Sequence, residues 1–100
     1  ISPKGQLIID EGAVIALKSG KSLLATGIKQ VKGKFNKGDH VRIIDENMNE
    51  FARGLSSFTS DEISKIKGQH SNKISNLLGY ISKSEVIHKD DMVKIQWVNI

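Results

Sequence analysis

One hundred residues with no cysteine and a formal net charge of +4 describe one small domain without disulfides or thiolate zinc sites. No apolar run approaches the roughly 20 residues of a membrane-spanning helix, and no basic stretch leading into an apolar core marks a secretory leader. Apolar residues make up 38% of the chain, which the nine glycines bring into the ordinary globular range, and the lack of cysteine fits a cytosolic protein.

An Ile at position 1 suggests a piece cut from a longer protein. Gly5–Asp10 (GQLIID) reads as a short strand running into a helix cap, with Asp10 placed to accept a bond from an orphan amide of the next turn. Ala13, Ala16 and Leu17 then share a helical face with Val14 beside them, and Gly20 supplies a left-handed stop. Leu23 and Leu24 open the next apolar segment, Gly27 reads as a tight or positive-φ turn, and Ile28–Lys32 as a strand. Phe35 stands alone among Gly33, Lys34, Asn36 and Lys37, as an anchor dropped into a core would. Gly38-Asp39 punctuates a turn before the hairpin His40–Leu55, whose own turn is Glu46–Glu50.

Helical signals return with Thr59 and Glu62, spaced as a capping box, followed by Ile63 and Ile66 on one face, an Asp61–Lys65 pair and a stop at Gly68. A second short helix is expected with Ser71 as cap, Ile74, Leu77 and Leu78 as stripe, and Gly79 as stop. The final segment contains a strand in which Val93, Ile95 and Trp97 alternate with Lys94 and Gln96. The order strand, helix, strands, two short helices, strand fits an α+β mixed barrel.

Few motifs carry chemistry. Gly20-Lys21-Ser22 looks like the end of a phosphate loop, but the leading glycine of that motif is replaced by Ile15, and the segment follows a helix instead of a strand. His88, Asp90 and Asp91 cluster, but an extended chain turns Asp91 away from the other two, so a structural tie suits them better than a metal. Asp10-Glu11 and Asp61-Glu62 sit at helix starts, where carboxylates complement the dipole. Ser56, Ser57 and Ser60 have no histidine near them in sequence. Lys18, Lys21, Lys29, Lys32 and Lys34 surround the helix-to-strand turn, and five aromatic residues leave few platforms for base stacking. No catalytic, cofactor-binding or metal-binding residue is assigned.

The succession Leu23-Leu24, Gly27, strand, Phe35, Gly38-Asp39, hairpin resembles a PUA domain, a small β-barrel. IDEGAVIAL at Ile9–Leu17, KSLLATGI at Lys21–Ile28, GKFNKGD at Gly33–Asp39, ARGLSSFTSDEI at Ala52–Ile63, GQHSNKISNLLGY at Gly68–Tyr80 and EVIHKDDMV at Glu85–Val93 resemble the C-terminal domain of the bacterial glutamate 5-kinase family. The resemblance implies a PUA-like mixed β-barrel with one N-terminal helix and two short helices before the last strand. It implies that residues 1–100 are a single PUA domain from a longer kinase chain. In that family the parent enzyme phosphorylates the L-glutamate side chain from ATP with magnesium, at the start of proline synthesis. Those ligands are held by an amino-acid-kinase domain that would be this chain's partner in a cytoplasmic homo-oligomer.

The resemblance therefore implies a non-catalytic accessory or regulatory domain with no cofactor of its own. The alternative is an RNA-binding module of an RNA-modification enzyme. PUA relatives that bind RNA use the first helix and the glycine turn after it, which makes Lys18, Lys21, Ser22, Gly27 and Lys29 the candidate contacts.

Overall fold

A computed structural model describes residues 2–95. The apolar run of Gly5–Ile9 forms β1, and Asp10 ends it by capping α1 (Glu11–Lys18), its Oδ1 accepting from the Ala13 amide at 2.8 Å. Gly20 follows with φ +83°. The chain then makes β2 (Leu23–Leu24), one turn of 3₁₀ helix over Ala25–Gly27, and β3 (Ile28–Gly33). The hairpin of β4 (His40–Asp45) and β5 (Glu50–Leu55) comes next, then α2 (Ser60–Ile66), α3 (Ile74–Leu78), β6 (Glu85–Ile87) and β7 (Met92–Lys94).

The first strand is an interior one, with a partner on each side. Five strands lie in the order β3-β1-β4-β5-β7, with β1 antiparallel to β3 and parallel to β4. Strands β2 and β6 make a separate antiparallel ladder, Leu23 opposite Ile87 and Leu24 opposite Glu85.

Period-two alternation gives the sheet two different faces. Leu7, Ile9, Val41, Ile43 and Ala52 point inward and join Ala13, Val14 and Leu17 of α1, Phe35, Phe58, and Ile63 and Ile66 of α2 in one core. On the other face, directly paired residues form a row across all five strands: Lys32, Gln6, Arg42, Arg53 and Val93.

This topology corrects the expectation of a closed barrel. Among the described residues β3 and β7 each pair on one side only. The edge strand β7 is three residues long, β2 gives way to a 3₁₀ turn after two, and α2 packs against β3. The α+β class stands, as do the first helix and the two short helices ahead of the final strands.

Local expectations shift as well. Gly27 is absent from the positive-φ positions; its constraint is the close approach of α1. The Thr59–Glu62 capping box forms, with bonds of 3.1 and 2.9 Å, but Asp61 reaches Lys34 at 3.1 Å instead of Lys65. Ser71 begins a 3₁₀ turn whose cap position is His70, and Leu77 of the expected stripe is exposed while Ile74 is buried. The alternation that includes Gln96 and Trp97 extends outside the described residues.

Candidate binding groove beside the first helix

The start of α1 and the segment Lys21–Gly27 enclose a groove of about 360 Å³. Ala13, Ala16, Leu23 and Leu24 supply an apolar wall. Asp10, Lys21, Ser22, Thr26 and Glu85 supply the polar groups. Each has a structural reason to be there. Asp10 is held by its cap, and Ser22 is fixed because its Oγ accepts from the Lys89 amide at 2.8 Å. Glu85 arrives through the β2–β6 ladder, opposite Leu24. The floor is narrow because Gly27 packs on Ala13.

Three of the five expected contacts, Lys21, Ser22 and Gly27, meet in this groove. Lys18 is elsewhere, its Nζ lying 5.2 Å from the centroid of the Phe51 ring. Lys29 projects from β3 into solvent and does not line the groove. Asp10, Thr26 and Glu85 were missed as lining residues. Asp10 carries a visible signal as a helix cap, whereas Glu85 comes from a distant strand and has no local one.

Two carboxylates against one ammonium leave the groove without the excess of positive charge that a phosphate chain needs. Among the described residues no group of three or more His, Asp or Glu is placed to hold a metal ion. The Gly20-Lys21-Ser22 segment follows a helix, and its lysine shares the groove with carboxylates, so these residues do not fit a nucleotide phosphate.

The perturbed titrations lie away from the groove. Burial pushes the Glu62 carboxyl up, but bonds from the Tyr80 hydroxyl and the Thr59 amide, with Lys37 nearby, leave it below the usual carboxylate range. Burial likewise opposes ionisation of Glu50, and the guanidiniums of Arg42 and Arg53 overcome it and lower its pKa. The Lys37 ammonium, 3.2 Å from the Tyr80 hydroxyl, is raised chiefly by that bond.

A mixed sheet with α1 across the inner face and a groove at the turn after α1 defines the class. The PUA domain family matches residues 5–78, and the chain belongs to that family. A PUA domain from Aeropyrum pernix K1, solved as a tartrate complex, superposes with a TM-score of 0.63 at 24% identity, covering 85% of this chain and 41% of that one, a likeness of fold. More particularly, the chain matches the C-terminal region of glutamate 5-kinases. It is 66% identical over 95 residues to the glutamate 5-kinase of Pelagibacter ubique (strain HTCC1062), covering 95% of this chain and 26% of that enzyme. It is 50% identical over 93 residues to that of Bartonella henselae, covering 93% and 24%. The chain thus spans about a quarter of the length of these curated relatives.

Proposed function

We propose that this chain is the non-catalytic accessory domain of a glutamate 5-kinase, one PUA domain that braces the enzyme or tunes its regulation. The observation that carries this reading is the 66% identity along 95 residues to a protein of that name. In this reading the remainder of the parent chain is an amino-acid-kinase domain that binds ATP and magnesium. That domain performs the phosphorylation of glutamate, in a cytoplasmic homo-oligomer. The present residues supply contacts and no step of the reaction.

Removing the domain cleanly from the parent chain tests this. Glutamate phosphorylation should stay measurable, while sensitivity to proline or the magnesium requirement changes. Unchanged kinetics and unchanged inhibition would sink the regulatory role. Complete loss of phosphorylation in a folded truncation would show that the domain completes the active site.

The RNA-module reading draws on Lys21 and Ser22 in the groove. It is weakened there by Asp10 and Glu85, which would face a phosphate backbone with like charge.

A further inference from the structure

We propose that the exposed apolar patch of Leu77, Tyr80 and Ile81, with the cavity beside it, is the surface on which the kinase domain of the parent chain docks; this rests on the reading of the chain as the accessory domain of a glutamate 5-kinase. Ile81 is 95% exposed, Leu77 45% and Tyr80 38%, and the three fall at the end of α3 and just past it. The other large apolar side chains exposed among the described residues, Ile15, Leu24, Met48 and Val93, stand apart on α1, β2, the β4–β5 turn and β7. Single exposed apolar residues are ordinary, whereas a contiguous group marks a contact. A cavity of about 420 Å³ opens next to the patch, with Tyr80, Ile81, Leu55 and Phe58 in its lining.

The patch is preorganised. The Tyr80 hydroxyl donates to the Glu62 carboxylate on α2 and accepts from Lys37 Nζ at 3.2 Å, and that ammonium also lies 4.9 Å from the ring centroid. Those bonds fix the ring before a partner arrives, so less side-chain freedom is lost on docking. Around the cavity Lys37 and Lys83 are balanced by Glu62 and Asp91, so contact here is governed by apolar shape and not by net charge. Two sequence matches point to the occupant. The PUA match ends at Leu78, whereas the match to the Pelagibacter ubique enzyme spans 95 of the 100 residues and therefore runs across Tyr80 and Ile81. These two residues thus belong to the part shared with a glutamate 5-kinase beyond the general PUA match, and the chain accounts for 26% of that enzyme. The surface that covers the patch is carried by the rest of the same polypeptide, and it presents apolar side chains.

The test places the photo-crosslinking amino acid p-benzoylphenylalanine at position 81 of the full parent chain, and in a control at position 48, exposed in the β4–β5 turn. After irradiation, the peptides joined to position 81 are expected to come from the parent chain outside these 100 residues, with about fivefold less product from position 48. The yield from position 81 should change little as salt rises, since an apolar contact is not screened. Three results overturn the proposal: no excess of product over position 48, joined peptides from this same domain of a second copy, or loss of the product at high salt.

With the crosslinker moved to position 83, Ile81→Asp should lower the yield about fivefold, and Met48→Asp should leave it within about twofold. Both substitutions fall at exposed positions, so thermal melting of each variant should match that of the parent and separate lost docking from unfolding. An undiminished yield in Ile81→Asp also overturns the proposal. Deleting the domain speaks to the accessory role alone. Crosslinking with unchanged inhibition on deletion keeps this surface and removes the regulatory role, whereas absent crosslinking with altered inhibition removes this surface and keeps that role.

Discussion

Gly27 lies directly against Ala13: a Cβ built on the glycine would stand 2.5 Å from the alanine Cβ. The 3₁₀ turn over Ala25–Gly27 can therefore dock on α1 only without a side chain at this position, and the docking is tied by the Asp10 amide donating to the Gly27 carbonyl at 2.9 Å. Gly27→Ala should destabilise by about 1–3 kcal/mol through overpacking, and Gly27→Val by more. Urea unfolding followed by circular dichroism checks this; a loss below about 0.5 kcal/mol would show that the turn yields at no cost.

Phe35 is 4% exposed and is held at both backbone groups by Ser60, whose amide donates to the Phe35 carbonyl at 3.0 Å and whose Oγ accepts from the Phe35 amide at 3.2 Å. The ring thus couples the segment before β4 to the start of α2. Phe35→Ala should cost about 3–5 kcal/mol, a large part of the roughly 5–15 kcal/mol available to a small domain. Thermal melting is the measurement, and a change under about 1 kcal/mol would place the ring at the periphery.

Glu50 gives the fold a pH dependence of definite sign. Its folded-state pKa is depressed, so its ionised form stabilises the fold above the usual carboxylate range and that contribution is lost as pH falls through the folded value. Glu50→Gln should lower stability at neutral pH by about 1 kcal/mol or less, because both guanidiniums are partly exposed, and flatten the acid limb. Glu62 is depressed too, so part of the limb should remain in the variant. Urea midpoints measured from neutral to acid pH decide it; an acid limb identical to that of the parent chain would rule out this role for Glu50.

Thr59 and Glu62 each cap the other's backbone amide. Thr59→Ala should cost about 1 kcal/mol and fray the first turn of α2. Hydrogen exchange at the amides of Asp61 and Glu62 should quicken by more than it does in the β4–β5 hairpin; equal quickening everywhere would mean that the cap acts only on global stability.

Much of the fold was legible because its signals are local. Asp10 and Thr59 announce helix starts by side-chain chemistry, Gly20, Gly68 and Gly79 announce the left-handed stops, and alternation in His40–Leu55 gives the hairpin. Sheet closure was not legible, since it depends on which edges find partners over long separations. The same limit applied at the groove. Lys21, Ser22 and Gly27 are near neighbours in sequence and line one groove, whereas Glu85 depends on the β2–β6 ladder. Lys18 stands outside the groove, its ammonium over an aromatic ring contributed by β5, a placement that no local signal in the sequence gives. The basic row Lys32, Arg42, Arg53 is dispersed along the chain and appears only once the strand register is known.

The placement of β1 between β3 and β4 has a kinetic consequence. Its parallel partner is synthesised only after a helix and two strands have intervened, so a ribosome releases this oily segment long before its ladder can be completed. Such long-range matching slows assembly relative to a bundle of neighbouring helices. It also makes the leading strand indispensable: trimming it would split the remaining ribbon into two unconnected pieces.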